Sequence, residues 1–186
     1  MIIINLRINT KLVCFLLIIV LTFSLFGCGD DPSTTVPKQT LSAPSTKDDA
    51  YTTFTTEFYQ ITLPKDFRQA EPVNGRTGFT NDHAHILFGY EPFTVHPSLP
   101  DLPIEEYGQK MIALYKLDTK LQNFGGVLWF EYAVQNPQYD GMLSYLVTLY
   151  KTNSASWCIE YCCDSRDMKN HREAFLEWAL SVTFTD

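Results

Sequence analysis

The chain has 186 residues, which is room for one domain and an additional segment, and its 45% hydrophobic and 19% charged residues are typical of a globular protein rather than a disordered one. Residues 1–27 carry two basic and no acidic residues, so the rest of the chain holds 12 Lys and Arg against 21 Asp and Glu, a net charge of −9. This acidity argues against a nucleic-acid partner, which needs clustered Lys and Arg, and against electrostatic adsorption to anionic lipid.

The first 27 residues have the pattern of a secretory signal peptide. Arg7 and Lys11 precede an apolar run over residues 12–27 that lies near the lower length limit for a membrane-spanning helix. The run ends in "LFGC", residues 25–28, which resembles the lipobox of bacterial lipoproteins, although Phe26 stands where small residues are commoner. The resemblance implies that Cys28 is lipidated and that cleavage after Gly27 makes it the first residue of the mature protein.

Lipidation at Cys28 predicts a membrane protein that is held by acyl chains rather than by charge. Each buried CH₂ contributes about 0.8 kcal/mol, so two or three acyl chains, such as palmitate, anchor durably. The alternative is an uncleaved signal-anchor in which Cys28 is incidental. Both interpretations place the rest of the chain at the extracytoplasmic face of the cell membrane.

Residues 28–50 are predicted to form a disordered tether. The segment is rich in Ser, Thr, Pro and Asp and has no aromatic residue, so it cannot bury enough apolar surface to offset the entropy of ordering. A flexible chain of this length reaches roughly 25 Å. The tether either holds the domain away from the membrane surface or only gives the anchored domain freedom to move.

The folded domain is predicted to span residues 51–186 and to begin with strands. Residues 57–64 alternate between apolar and polar side chains until Pro64, which predicts a strand with one buried face. Residues 76–80 and 83–93 predict a hairpin whose turn is Asn81–Asp82.

An amphipathic helix is predicted over residues 104–117, with Asp101 as the N-cap and Pro103 in the first turn. Its apolar stripe consists of Ile104, Tyr107, Met111, Leu114 and Tyr115.

The C-terminal third predicts an antiparallel meander followed by a second helix. Residues 125–134, 142–151 and 157–163 read as three strands joined by tight polar turns. A helix then begins at Asp164 or Ser165 and places Met168, Phe175, Trp178 and Ala179 on its inner face, alongside His171. The fold class is therefore α+β, an antiparallel sheet flanked by helices.

Two short motifs in this arrangement resemble a known family. "LPKDF" at residues 63–67 and "WALSVTF" at residues 178–184, around a mid-chain helix and a meander, are similar to the PsbP-like superfamily, including its DcrB-type and Mog-type members. The resemblance covers most of residues 54–184. It implies an α/β/α sandwich that serves as a binding or accessory module, with no shared catalytic residues.

Three cysteines lie together in "WCIEYCC", residues 157–163. Strand alternation puts Cys158 and Cys162 on one face about 13 Å apart, too far for a disulfide, and Cys163 on the other. Cys162 and Cys163 could pair only as a strained vicinal bridge, and an acylated Cys28 leaves no other partner in the mature chain. We therefore expect three free thiols that act as small buried hydrophobic residues. A redox or metal site is the less favoured alternative, because the spacing is not C-x-x-C.

Candidate catalytic and metal-binding residues lack a supporting motif. His83 and His85 are expected on one strand face, but a metal site needs a third ligand such as His96 or His171. Ser144, Ser154 and Asp140 occur without a G-x-S-x-G, H-E-x-x-H or P-loop pattern. The sequence predicts no enzyme, no cofactor and no metal.

The predicted contact surface is the proline-rich crossing at residues 90–103 together with the turn at residues 135–141. Prolines stiffen such loops, and Phe93, Val95 and Tyr139 would be the contact residues. The predicted function is a non-enzymatic module that binds an envelope protein or assembly. The alternatives are a small-ligand or metal-binding module and an extracytoplasmic enzyme.

Overall fold

The structure, a computed structural model, describes residues 50–72, 75–136 and 140–185. The predicted signal peptide, Cys28, the tether up to residue 49 and Tyr139 lie outside the described residues. Within the described part of the chain, neither helix has the length and apolar character needed to cross a membrane.

The described residues form ten strands and two helices. In chain order these are β1 (Tyr51–Thr55), β2 (Tyr59–Pro64), β3 (Arg68–Gln69), β4 (Gly78–Thr80), β5 (Ala84–Pro92), α1 (Ile104–Leu114), β6 (Gln122–Phe124), β7 (Val127–Gln135), β8 (Met142–Lys151), β9 (Ala155–Asp164), α2 (Met168–Leu180) and β10 (Thr183–Phe184).

The strands form two antiparallel sheets. A three-stranded sheet has the order β1-β2-β10, and a seven-stranded sheet has the order β3-β4-β5-β9-β8-β7-β6. The predicted hairpin of β4 and β5 and the predicted meander of β7, β8 and β9 are confirmed. The α+β fold class is confirmed as well.

Each face of the seven-stranded sheet has its own core. Helix α2 and the three-stranded sheet cover one face, called here the α2 face, whose buried residues include Ile61, Phe79, Phe88, Trp157, Ile159, Tyr161 and Phe175. Helix α1 packs on the other, called the α1 face, whose buried residues are Tyr107, Leu128, Phe130, Val147, Leu149 and Cys158.

The first helix differs from the prediction at both ends. Pro103, not Asp101, occupies the N-cap position, and the helix has no side-chain cap. The helix stops at Leu114 because Lys116 adopts a left-handed backbone (φ 53°). The amides of Lys116 and Leu117 then donate to the carbonyls of Ala113 and Ile112, which is the Schellman arrangement that terminates helices.

Helix packing also corrects the predicted apolar stripe. Leu114 is exposed, whereas Gly108 is buried against the sheet. A Cβ at Gly108 would lie 2.6 Å from Leu149 Cδ1 and 3.0 Å from Leu121 Cδ1. The glycine therefore lets α1 approach the α1 face closely.

Two further boundaries differ from the prediction. Gly125 and Gly126 form the turn between β6 and β7 with φ angles of 59° and 95°, the conformation that two-residue hairpins require, and are not part of a strand. The second helix begins at Met168, because Asp164 still belongs to β9 and its carboxylate accepts a hydrogen bond from the Arg166 amide at 2.9 Å.

Candidate functional site

The predicted contact surface begins at Tyr90, but residues 90–92 belong to β5, so the contact loop comprises residues 93–103. It leaves β5 at the end of the sheet that also carries the β8–β9 turn. The Phe93 amide donates to the Ser154 carbonyl at 2.8 Å, which joins the start of the loop to that turn. Val95 is 64% exposed, so the loop presents an apolar side chain to solvent.

Lys151 fastens the far part of the loop to the sheet. Its ammonium donates to the carbonyl oxygens of Pro100 at 2.6 Å and Leu102 at 2.9 Å, and it lies 5.9 Å from the centre of the Phe93 ring. The loop is thus fixed by contacts near both its ends. A partner that binds it would lose little entropy in ordering it.

Four aromatic rings lie side by side at this end, and we call them the aromatic end: Phe58, Tyr90, Trp157 and Phe184. Ring centroids are 5.8 Å apart for Phe58 and Tyr90, 4.6 Å for Tyr90 and Trp157, and 5.1 Å for Trp157 and Phe184. Trp157 is buried, whereas Phe58 is 39% and Tyr90 is 44% exposed. The two outer rings therefore rest on a rigid buried one.

Phe58 is held in place by the turn between β1 and β2. The Thr56 hydroxyl donates to the Tyr59 carbonyl at 3.0 Å and accepts from the amides of Phe58 and Tyr59 at 3.3 and 3.1 Å. The Phe58 carbonyl accepts from the Thr185 amide at 3.1 Å, which ties the turn to the strand that carries Phe184.

A shallow depression lies beside Phe184 and is lined also by Lys151, Thr152 and Asn153. Thr152 is engaged within its own turn, where its hydroxyl accepts from the Ala155 amide at 3.2 Å, while Asn153 is exposed. Apolar rings with a polar margin are suited to contact with another molecule.

A second polar group of residues lies on the α1 face. Arg76 and Glu160 form a two-pronged ion pair with N–O distances of 3.1 and 3.2 Å, and the two side chains are 23% and 20% exposed. Arg76 Nε is buried and has no hydrogen-bond partner in the described part of the chain. Burial disfavours the charged guanidinium, but the charge of and hydrogen bond to Glu160, together with the nearby Cys158 and Tyr132, outweigh burial and raise the pKa of Arg76.

Two tyrosines lie near this ion pair, and a third is buried on the same α1 face. Tyr132 and Tyr145 stack with ring centroids 5.1 Å apart, and Tyr107 of α1 is buried in the core of this face near Glu91. Burial, reinforced by nearby carboxylates, raises the pKa of all three hydroxyls well above 10. All three hydroxyls therefore remain protonated at neutral pH.

The three cysteines lie on β9 as predicted, with free and buried thiols. Cys158 belongs to the core of the α1 face and Cys163 to that of the α2 face, which confirms the predicted alternation. Burial raises the pKa of the Cys158 thiol far above its ordinary value, that of Cys162 to about 11 and that of Cys163 to about 12. Such thiols carry little thiolate at neutral pH and are poor nucleophiles or metal ligands.

The histidines considered as metal ligands are spread over the fold. His83 lies in the β4–β5 turn rather than on the strand, and His85 Nδ1 is 2.8 Å from the Thr80 hydroxyl. His96 lies in the contact loop and His171 on α2. No group of three or more potential metal ligands converges in the described segments.

The serines considered for hydrolysis lie at opposite ends of β8. Ser144 is buried and donates to the Ser165 hydroxyl at 2.8 Å, whereas Ser154 lies in the turn beyond Lys151. Asp140 lies in the bend that precedes β8. The structure therefore does not bring the two serines together.

The sequence did not predict the aromatic end or the Arg76–Glu160 pair. Phe58 and Phe184 are separated by most of the domain, and no local pattern relates them. The alternation of β9 does indicate which face of the sheet carries Glu160. It cannot indicate that Arg76 lies on the same face and pairs with it.

Comparison with solved structures finds similarity at the level of the fold. The chain matches cyanobacterial PsbP (CyanoP) from Synechocystis sp. PCC 6803 with a TM-score of 0.53 and 9% identity, covering 77% of this chain and 98% of that protein. A protein from Bacteroides thetaiotaomicron VPI-5482 matches with a TM-score of 0.48 and 12% identity over 69% of this chain, which spans only 45% of the length of that protein. No protein-family model and no curated protein sequence matches the chain. The match to CyanoP, together with the two antiparallel sheets and two helices, shows that the described residues have an α+β fold of the PsbP-like type.

Proposed function

We propose that this protein is a bacterial lipoprotein, anchored through Cys28, that acts outside the cytoplasm as a non-enzymatic accessory module for an envelope protein or assembly. The signal-like residues 1–27 and the lipobox-like residues 25–28 support the anchor. The PsbP-like fold is compatible with an accessory role but does not itself specify one.

The observation that carries the binding role is the combination of the aromatic end with the fixed contact loop. Exposed aromatic rings that rest on a buried ring are typical of protein contact surfaces. The hydrogen bonds that Lys151 donates to two carbonyls of the contact loop keep that loop in one conformation. Both features lie at the same end of the sheet, where one partner can reach them together.

Chemical crosslinking in intact membranes followed by pull-down tests this function. We expect the native protein to recover one envelope protein in near-stoichiometric amount, and a Cys28→Ala form to lose it because the domain no longer stays at the membrane. Mass spectrometry of the N-terminal peptide provides the control, since only the native form should carry a diacylglyceryl group on Cys28. Absence of an enriched protein with either form would reject the accessory role.

A further inference from the structure

The aromatic end is an exposed apolar surface that the described fold leaves uncovered. Its two outer rings, Phe58 and Tyr90, are nearly parallel, with an interplanar angle of 26°. Both rings contact the buried Trp157, and Phe58 is also held by the hydrogen bonds of the β1–β2 turn. A surface made of rigid aromatic side chains loses little conformational entropy on binding.

The net negative charge of the molecule favours a positively charged partner. The described residues include ten Lys and Arg against sixteen Asp and Glu. Glu57 precedes Phe58 in the β1–β2 turn and is exposed, and Lys151 already directs its ammonium at two backbone carbonyls. A cation approaching the aromatic end therefore meets an acidic protein and the electron-rich faces of two rings.

We infer that the aromatic end docks a basic segment of the envelope partner, with an Arg or Lys side chain of that segment stacked on Phe58 and Tyr90. The inference rests on the proposed function and adds the surface and the chemistry of the partner. Cation–π contact acts at the two rings, and the net negative charge of the described domain as a whole favours a basic partner.

Other occupants fit the surface less well. Anionic lipid and nucleic acid are repelled by the acidic domain. A second copy of this chain would bring two acidic molecules together without a complementary charge. A neutral glycan could stack on the rings but would gain nothing from the negative charge.

Site-specific photocrosslinking in cells tests the inference with the full-length chain. The photoreactive residue p-benzoylphenylalanine replaces Phe58 or Tyr90, which keeps an aromatic ring at each position. Met142, 41% exposed, is the matched control because it begins β8, whereas Tyr90 and Trp157 lie beside Tyr150 near the other end of that strand, about 25 Å away. We expect one protein crosslinked from positions 58 and 90 but not from 142, through a peptide that contains Arg or Lys.

Two substitutions sharpen this experiment. Tyr90→Ala should lower the crosslinking yield from position 58 at least tenfold, and Tyr90→Phe should preserve it because the ring remains. Met142→Ala should leave the yield unchanged, and circular dichroism verifies that each variant is folded. Raising the salt concentration should reduce the yield, because the attraction is in part electrostatic.

Each other result overturns the inference in a distinguishable way. A crosslink from 58 or 90 to a glycan, a lipid, a second copy or an acidic peptide rejects the basic partner. A protein captured from 142 alone leaves the accessory function standing and rejects the aromatic end as the docking surface. No capture from any of the three positions rejects the inference, and the separate membrane pull-down then decides whether the accessory function also falls.

Discussion

The two faces of the seven-stranded sheet are built from the same strands but differ in chemistry. On the α2 face, Tyr161, Phe175 and Trp178 pack ring against ring with centroids 5.6 and 5.4 Å apart, and a helix and a second sheet exclude water. On the α1 face, a single helix of 11 residues covers an apolar core, and the Arg76–Glu160 ion pair lies on the same face.

Strand β9 shows how one segment supplies both faces. Ile159 and Tyr161 are fully buried on the α2 face, while Glu160 between them points to the α1 face and holds Arg76. Apolar burial on one side gives most of the stability, whereas the ion pair on the other must first offset the cost of removing two charges from water. We therefore expect the two faces to respond differently to substitution.

The largest expected effect on the free energy of unfolding comes from a substitution in the core of the α2 face. Phe175→Ala should lower the free energy of unfolding by about 4 kcal/mol, because a fully buried ring is lost and a cavity remains. Met111→Ala on α1, where the side chain is half-buried, should cost about 1–2 kcal/mol. Urea denaturation of the purified protein measures both, and equal losses would contradict the difference between the faces.

The ion pair should show strong coupling between its partners. Arg76→Met or Glu160→Leu alone should lower the free energy of unfolding by about 2 kcal/mol, less than for a fully buried pair because both side chains are about a fifth exposed. The double variant should recover most of that loss, since neither charge is left unpaired. Additive losses in a double-mutant cycle would mean that the pair contributes no coupling.

Gly108→Ala tests how closely α1 approaches the sheet. Alanine ordinarily stabilises a helix by about 1 kcal/mol relative to glycine. Here the new Cβ would overlap Leu149 and Leu121, so we expect a loss of about 1–2 kcal/mol instead. Leu149→Val in the same chain should relieve part of it. Ala113→Gly, exposed on the same helix, is the control and should cost about 1 kcal/mol through propensity alone.

The smallest expected effect is on alkaline stability and involves both faces. Burial raises the pKa of Cys162 from 9.0 to about 11 and, despite a hydrogen bond to Thr77, that of Tyr59 from 10.0 to about 12. Above pH 9 the unfolded chain releases these protons while the folded chain keeps them, so stability should fall as pH rises from 9 towards 11. Urea midpoints at pH 8 and 10.5 measure the fall, which should be smaller in Cys162→Ala. A midpoint that stays constant would argue against buried thiols.

Much of the fold follows from local patterns in the sequence. The alternation of residues 157–163 correctly assigned each cysteine to a face, and the apolar pattern at residues 142–151 gave the exact bounds of β8. Helix ends were less predictable. Lys116 takes a left-handed conformation that glycine more often adopts, and Asp164 stays in its strand because Leu143 pairs with it.

The candidate site could be predicted only in part. The proline-rich segment at residues 90–103 was recognisable from composition, and the structure brings its first residue, Tyr90 at the end of β5, to the aromatic end. Phe58 and Phe184 reach the same place because β10 pairs with β2, a contact between distant parts of the chain. The lipidation of Cys28 stays a prediction, since that residue lies outside the described part of the chain.

The sequence by itself determined the α+β class, the faces of the strands and the acidic charge, because these depend on residue type and on a period of two or 3.6 residues. Only the tertiary structure decided which distant residues meet: Arg76 with Glu160, Gly108 with Leu149, and Phe58 with Tyr90. Those contacts depend on the order of the strands in the sheet and on the packing between layers. No short segment of the sequence specifies either of them.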